Sequence, residues 1–312
     1  TDEDPDPIKI GRRRIRASNP IMTVFNLGSI NIDLFYQVPH FPSAGETMTT
    51  LGHSRMLGGK GANQSIALAR AGMPVTHIGA CNAEDRWLRD EMQAAGVDVT
   101  HIQDSPHASG HAIVSVDPDG ENQILLAPSA NRQIDMDRAC AVLDNAVAGD
   151  WALLQNETNG ADSFVAAARE KGLKLAYSAA PFDASVVLDL LPHTDLLVVN
   201  EGEAVALGGA LGKPVESAGI PHLVITLGSA GATYFGASGT LVQPAFSVDV
   251  VDTTGAGDCY LGYLLAGMAA GDEIADAMAA AAAAAAIHVS RPGTGAAIPA
   301  RSEADRFLRQ SV

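Results

Sequence analysis

The sequence predicts an α/β protein with a mostly parallel sheet flanked by helices and a small β-sheet lid. From residue 151 onward, short β-branched runs alternate with stretches of helical apolar periodicity. Such strand–helix alternation favours a parallel sheet that helices cover on both faces. Residues 33–57 and 111–128 break this rhythm, because they carry no helical period. We expect their strands to form the lid, since they cannot belong to the helix-covered sheet.

The individual elements follow from the same patterns. Residues 111–117 and 123–128 are predicted as paired lid strands around an Asp-Pro-Asp-Gly turn. No repeat of fixed period is visible, which disfavours a solenoid. The strand–helix alternation predicts one α/β domain over residues 21–312. Strands of the main sheet are predicted at residues 22–30, 75–80, 97–102, 151–156, 173–178, 195–200 and 222–228, and helices at 61–71 and 85–95.

Composition excludes several classes of protein. An apolar content of 47% with 18% charged residues excludes disorder for most of the chain. The formal net charge of −16 repels nucleic-acid phosphates and anionic lipid, so we expect neither nucleic acid nor membrane as a partner. An anionic small-molecule substrate would need a local positive device, such as a helix N-terminus, a metal ion or a lysine.

The cysteines and the N-terminus bear on location. Cys81, Cys140 and Cys259 are too few and too far apart for a disulfide framework or a CxxC metal site, which favours a reducing cytoplasm. No apolar region of an export signal follows the arginines at 12–16, and residues 1–20 are predicted to be a disordered or loosely ordered tail. The alanine run at 279–286 is too short to span a membrane and is expected to be a buried packing helix.

A glycine turn at residues 255–257 leads from a predicted strand into an apolar helix that carries Asp258. Free N–H groups at such a helix start form an anion hole. A carboxylate beside it can accept the proton of an attacking hydroxyl, as the general base of a kinase does. The alternative is an ordinary strand–helix turn in which Asp258 only complements the helix dipole. A dinucleotide fingerprint is disfavoured, because Tyr260 replaces its third glycine.

A second glycine-rich helix start lies at residues 58–64, Gly-Gly-Lys-Gly-Ala-Asn-Gln. It is not a Walker A loop, since Lys60 is followed by glycine and the upstream spacing differs. Gly59 would let the backbone approach a ligand closely, while Lys60 and Asn63 offer donors to hydroxyls or phosphate. A plain helix N-terminus remains the alternative.

A third polar segment occupies residues 26–33, predicted to lie at the end of the first strand. Asn31 and Asp33 alternate with apolar neighbours, so both point to one side of an extended chain. An amide and a carboxylate so placed suit bidentate hydrogen bonding of vicinal hydroxyls, and ligands bind beyond the carboxyl ends of strands in open α/β sheets. An Asn/Asp turn cap is the alternative.

Together and in this order, the three segments resemble the ribokinase-like (PfkB) carbohydrate kinase family. Residues 58–64 and 251–258 match its two signature regions, and the resemblance extends from about residue 23 to 306. It implies a Rossmann-like sheet with a β lid, ATP as phosphoryl donor and Mg²⁺. It also implies a homodimer formed through the lid.

The resemblance assigns roles to individual residues. Asp258 is implied as the catalytic base, and the amides of Gly255, Ala256 and Gly257 as the anion hole. Asn200 and Glu203 match an Asn-x-x-Glu element that organises Mg²⁺ and phosphate. The implied sugar ligands are Asn31, Asp33, Gly59, Lys60, Asn63, Glu157 and Asp258. The implied nucleotide ligands are Asn200, Thr226, Gly228, Ser229, Gly231 and Gly257, although residues 226–231 could also be an ordinary hairpin turn.

A potassium site is implied at Asp252, Thr254 and the backbone near His288, Arg291 and Gly293. Two positions depart from the family. Ala282 stands where a polar side chain usually meets adenine, and Ala297 replaces a hydroxyl near the cation.

Residues 28–31, 45–47 and Glu157 match the ribose-phosphorylating members most closely. The implied reaction is therefore phosphorylation of D-ribose to D-ribose 5-phosphate. A kinase for another sugar or a nucleoside is the alternative, and a regulator without turnover or a nicotinamide-dependent dehydrogenase is less favoured.

Overall fold

The computed structural model describes residues 22–237 and 239–311. The predicted N-terminal tail, residues 1–20, lies outside them. The strands are β1 (Val24–Leu27), β2 (Asn31–Gln37), β3 (Gly52–Gly58), β4 (Val75–Asn82), β5 (Ile102–Ser105), β6 (Gly110–Val116), β7 (Asn122–Ala127), β8 (Trp151–Gln155), β9 (Lys174–Ser178), β10 (Leu196–Asn200), β11 (His222–Thr226), β12 (Ala232–Gly236) and β13 (Gly239–Gln243). The α-helices are α1 (Lys60–Arg70), α2 (Arg86–Ala94), α3 (Met136–Ala141), α4 (Ala161–Glu170), α5 (Ala184–Leu190), α6 (Glu201–Leu211), α7 (Ala256–Ala269), α8 (Ile274–Val289) and α9 (Arg301–Gln310).

The strands build a large sheet and a small one. The large sheet has the order β13-β12-β11-β10-β9-β8-β1-β4-β5, parallel from β11 to β5 and antiparallel at β12 and β13. The predicted α/β class with a mostly parallel sheet is confirmed. Two details were wrong or missed. The strand predicted at 97–102 begins only at Ile102, and before it Asp98 makes an isolated bridge to Thr76. Strands β12 and β13 were not predicted.

The parallel strands are continuous runs of apolar residues, because both faces of the large sheet are buried. Along β1, Val24 belongs to one apolar core, whereas Phe25 and Leu27 belong to the other. Helices α1, α7 and α8 supply residues to the first core, and α3 to α6 supply residues to the second. The alanine-rich α8 is buried along much of its length, because alanine lets it pack closely against α7.

The small sheet has the order β3-β2-β6-β7. Strand β2 pairs antiparallel with β3 and parallel with β6, and β6 pairs antiparallel with β7. Its strands fall almost entirely within the ranges expected for the lid. We correct the placement of the third polar segment: β1 ends at Leu27, and Asn31 opens β2 of the small sheet rather than closing the first strand.

No helix among the described residues is long and apolar enough to cross a membrane.

Candidate active site

The strand order changes direction between β1 and β8, which are neighbours in the large sheet. From β1 the chain continues to β4 and β5 on one side, and the strands from β8 onward build the other side. In open α/β sheets this switch point leaves a crevice beyond the carboxyl ends of the strands. Ser29 follows β1 and Glu157 follows β8, so both lie at this crevice.

Glu157 is fixed by groups from two other segments. Its carboxylate accepts hydrogen bonds from the hydroxyl of Ser29 and, at 3.3 Å, from the backbone N–H of Lys60. The side chain is buried, and burial raises the pKa of this carboxyl above its usual value. A buried acceptor held in this way suits a ligand hydroxyl better than water.

Asn31 and Asp33 are both buried on one face of β2, as the alternation predicted. Asn131 fixes the orientation of Asn31. The Asn131 Nδ2 donates to Asn31 Oδ1 over 2.7 Å, while its Oδ1 accepts from the backbone N–H of Ile30 over 2.9 Å. With its oxygen occupied, Asn31 keeps its amide donors for a ligand.

The N-terminus of α1 approaches β2 closely. Gly59 has φ +92°, and a Cβ there would lie 2.9 Å from the backbone nitrogen of Asn31, so only glycine fits. Lys60 opens the helix, and its pKa is raised chiefly by the negative charge of Asp258 and also by Glu157. It therefore stays an ammonium and offsets the clustered carboxylates.

Asp258 lies in the first turn of α7, directly after the glycine turn. Gly255 is the N-cap with φ +80°, so the first N–H groups of the helix are left without side-chain caps. The Asp258 carboxylate accepts from Gln64 Nε2 at Oδ1 over 2.8 Å and from Asn63 Nδ2 at Oδ2 over 3.2 Å. The close approach of α1 and α7 depends on Gly262, where a Cβ would lie 2.4 Å from that of Ala67.

A cavity of about 750 Å³ extends from these residues across the carboxyl edge of the large sheet. Lys60 and Asp258 line it, as do residues 255–257 of the glycine turn. The nucleotide-side residues predicted from the sequence also line it: Asn200, Glu203, Thr226, Gly228, Ser229 and Gly231. Ala282, Ala285, Ala286 and Val289 of α8 supply an apolar wall.

Asn200 and Glu203 form a reciprocal capping box at the start of α6. The Asn200 Oδ1 accepts from the backbone N–H of Glu203, and Glu203 Oε2 accepts from that of Asn200. The second carboxylate oxygen of Glu203 is not used by the cap. A single carboxylate facing a cavity fits Mg²⁺, which retains waters and binds substrate phosphates.

The residues predicted for a monovalent cation are brought together beside the glycine turn. The two oxygens of Asp252 accept from the backbone N–H groups of Thr254 and Gly293, over 2.9 and 3.0 Å. His288 Nε2 lies 2.8 Å from the carbonyl oxygen of Thr254, while the Arg291 side chain turns away to Glu303. Within the described part of the chain, no group of three or more His, Cys, Asp and Glu side chains could hold a metal ion.

A family model described as pfkB family carbohydrate kinase matches residues 23–301. The chain belongs to this family. The match contains both glycine-rich helix starts and every predicted site residue, and the resemblance drawn from the motifs is confirmed.

Curated relatives cover almost the whole chain. A ribokinase of Haemophilus influenzae is 32% identical over 305 residues, which is 93% of this chain and 99% of the relative. A deoxyribokinase of Salmonella typhi is 27% identical, covering 92% of this chain and 99% of the relative. Among solved structures, Arabidopsis thaliana ribokinase complexed with ribose and ATP matches with a TM-score of 0.81 at 26% identity, covering 92% and 98% of the two chains. The family places this chain among the carbohydrate kinases.

Two residues beside the site carry no motif signal of their own. Asn131 holds Asn31, and Gln155 holds Gln64, while Ser29 of the matched segment 28–31 holds Glu157. Buried polar side chains of this kind look like ordinary loop or strand residues in a sequence. A Gln at the end of an apolar strand was the available signal for Gln155, since a buried amide requires partners.

The resemblance to the family implies that Asp33 accepts a hydrogen bond from the sugar, and that role gives sugar binding a pH dependence. Burial, followed by the charges of Glu157 and Asp258, raises its pKa to about 6, with Lys60 opposing them. A hydroxyl donates to the ionised carboxylate, so sugar affinity should fall about tenfold per pH unit below pH 6. Calorimetric titration from pH 5 to 8 measures this, and Asp33→Asn should remove the step.

The raised pKa of Asp33 also makes the stability of the fold depend on pH, and stability falls as the pH rises. Between pH 3.8 and about 6 the folded protein holds this proton while the unfolded chain releases it. The ionised carboxyl therefore destabilises the fold by up to about 3 kcal/mol above pH 6. Asp33→Asn should be more stable than the unmodified protein at pH 8, and equal stability there would contradict the assigned pKa.

Proposed function

We propose that this protein transfers the γ-phosphoryl group of ATP to a hydroxyl of a small sugar, with D-ribose as the acceptor and D-ribose 5-phosphate as the product. The observation that carries the proposal is the position of Asp258. Its carboxylate is close enough to Asp33, Lys60 and Glu157 to interact with their charges, and it lines the cavity together with the glycine turn. A base so placed can serve an acceptor on one side and a donor on the other.

The polar side chains beside Asp258 include donors and acceptors that could still form hydrogen bonds to a ligand. Asn63 Oδ1 is buried without a hydrogen-bond partner among the described residues, and Asn31 keeps its amide donors. Asp33 and Glu157 supply acceptors. Each buried polar atom left unpaired costs about 1–3 kcal/mol, so a polyhydroxylated ligand is favoured.

ATP is proposed as the donor from the shape of the cavity and from the ATP-bound Arabidopsis relative. The nucleobase would lie against the apolar wall of α8, including Ala282. The polar lining at Asn200, Thr226 and Ser229 would hold the ribose and phosphates. Gly255 and Gly257 would direct backbone N–H groups at the transferred group, and the N–H of Ala256, which donates to the carbonyl of Thr253 over 3.2 Å, would turn to the same group.

Asp258 would take the proton of the acceptor hydroxyl as that oxygen attacks the γ-phosphorus, while the bond from the γ-phosphorus to the β–γ bridging oxygen breaks and ADP leaves. The amides of residues 255–257 would then stabilise the negative charge that develops on the transferred oxygens. Mg²⁺, oriented by Glu203 through water, would neutralise phosphate charge when bound. Lys60 would balance the carboxylates that surround the acceptor.

Ribose as acceptor is supported by the curated relatives, four of the most similar of which are ribokinases. The deoxyribokinase relative supports the alternative of another sugar, and a nucleoside remains within the same reaction class. An ADP-release screen over pentoses, hexoses and nucleosides decides between them.

The ribose proposal predicts discrimination against 2-deoxyribose. A missing hydroxyl leaves buried groups unpaired, so kcat/KM for deoxyribose should be about ten- to a hundredfold lower than for ribose. Glu157→Ala should raise the KM for the sugar more than the KM for ATP. If a hexose or nucleoside wins a direct competition assay, ribose is wrong although the kinase reaction stands.

Potassium is proposed as an activator bound beside the glycine turn, where Asp252 and the carbonyl of Thr254 converge with the 288–293 loop. Ala297 removes no backbone oxygen, so potassium should still raise kcat. Initial rates in potassium and in tetramethylammonium chloride at equal ionic strength measure this. Equal rates would show that no such site operates.

A homodimer formed through the small sheet is also proposed. Among the described residues, no strand pairs with the outer edges of β3 and β7, and Ile124, Leu125 and Leu126 of β7 are exposed. We further propose that residues 21–312 act as one kinase domain with this sheet as its lid. The buried free thiols of Cys81 and Cys259 suit a cytoplasmic setting.

A further inference from the structure

A chain of buried amides leads away from Asp258 into the protein. Gln64 donates from Nε2 to Asp258 Oδ1 over 2.8 Å. Its Oε1 accepts from Gln155 Nε2 over 2.6 Å, and Gln155 Nε2 also donates to Asn26 Oδ1 over 3.0 Å. Gln64, Gln155 and Asn26 are each at most 1% exposed. A buried chain of this length fixes the orientation of every amide in it.

The orientation of the Gln64 amide is set by Gln155. Both hydrogens of its NH2 group are used, one toward Gln64 and one toward Asn26. Because Gln64 must present its oxygen to Gln155, its own NH2 group is left facing the carboxylate of Asp258. If the Gln64 amide were reversed, its oxygen would meet a carboxylate oxygen at hydrogen-bond distance, and Asp258 would have to move.

A second branch of the network leads away from the site. Asn26 Nδ2 donates to Ser65 Oγ over 2.8 Å, and Ser65 lies 2.9 Å from His77 Nδ1. Burial lowers the pKa of His77 to about 4, so the ring is neutral, and Nε2 donates to the carbonyl of Gly28. Ser65 therefore donates to His77 and completes a branch that does not touch Asp258.

We propose that Gln155 is a positioning residue for phosphoryl transfer, which acts through Gln64 to hold the Asp258 carboxylate in its reactive orientation. The inference rests on the proposed role of Asp258 as base. Neither glutamine lines the cavity itself, so neither is placed to bind the nucleotide directly. A displacement of the base by about 1 Å is enough to lower turnover about 10²-fold.

A double-mutant cycle tests whether Gln155 acts through Gln64. Gln155→Met and Gln64→Met each remove the amide at similar volume and should lower kcat about tenfold, with KM for sugar and ATP changed less than about twofold. The double variant should be no slower than Gln64→Met alone. Gln155→Glu keeps the shape but places an acceptor against Gln64, and its loss of kcat should exceed that of Gln155→Met.

If Gln155→Met folds poorly, Gln155→Glu takes its place in the double-mutant cycle. In the Gln64→Met background, Glu at position 155 still faces Asn26 Oδ1 but has no amide through which to act on Asp258, so its effect on kcat should disappear. Ser65→Ala is the matched control, because it breaks the other branch of the same buried network. It should lower the free energy of unfolding while kcat stays unchanged.

Turnover is measured with whichever acceptor gives the highest rate, and Asp258→Asn is assayed in parallel. If Asp258→Asn retains turnover, the proposed base is wrong. If Asp258→Asn is slow but the two methionine substitutions multiply in kcat, only the positioning role falls. Unchanged kcat with a raised sugar KM in Gln155→Met would overturn it as well.

Discussion

Asp258→Asn is expected to lower kcat by at least about 10²-fold, because general-base assistance contributes roughly that much. The change is nearly isosteric. It leaves the glycine turn and the N–H groups of residues 255–257 in place, so ATP affinity should be retained. The kcat is measured by coupled ADP release, and the affinity for ATP is measured by calorimetry.

The structure adds a detail to this expectation. Gln64 and Asn63 both donate to Asp258, and asparagine offers only one acceptor to these two donors. A modest loss of stability should therefore accompany the loss of turnover. Measuring the free energy of unfolding separates the two effects. Near-normal kcat in the folded variant would refute the base assignment.

Gly61→Ala is expected to destabilise the fold by about 3 kcal/mol, because the new methyl group cannot be accommodated. A Cβ at Gly61 would lie 2.4 Å from Gly28 Cα and 2.4 Å from the backbone nitrogen of Ser29. Both contacts are backbone atoms, which cannot turn aside as a flexible side chain can. Separation of α1 from the loop after β1 would also displace Lys60 from Glu157, so kcat/KM should fall about 10²-fold.

Gly209→Ala is the matched control for this substitution. Gly209 is exposed in α6, and nothing lies within 4 Å of a Cβ there. Alanine should stabilise the protein by up to about 1 kcal/mol, since glycine is a poor helix former. Urea unfolding of both variants makes the comparison. Equal stability of Gly61→Ala and the unmodified protein would show that the two segments are not in close contact.

Local sequence patterns were sufficient to predict the helix starts and the strand alternation that supply the candidate site residues. The glycine turns before α1 and α7 need only a local signal, because a helix start after glycine exposes N–H groups wherever it occurs. The alternation of Asn31 and Asp33 likewise determines that they share a face, whichever sheet they join. The sheet to which they belong was assigned wrongly, since β2 pairs with β3 and β6 rather than continuing β1.

The long-range contacts could not be read from the sequence. Gln64 and Asp258 are 194 positions apart, and Gln64 and Gln155 are 91 apart. The cation loop joins Asp252 to Gly293 through one backbone hydrogen bond. Such pairs depend on how close two helices or loops approach, which is set by packing at single glycines such as Gly262.

The sequence by itself determined the fold class, the family and the residue types available to a sugar kinase, because these follow from periodicity and short motifs. Tertiary structure alone decided how the carboxylates are arranged and held. The change of strand direction beside β1 brings the segments after β1 and β8 to one crevice. Burial there favours hydrogen bonds between the polar side chains, and such bonds orient Asn31 through Asn131 and Asp258 through Gln64.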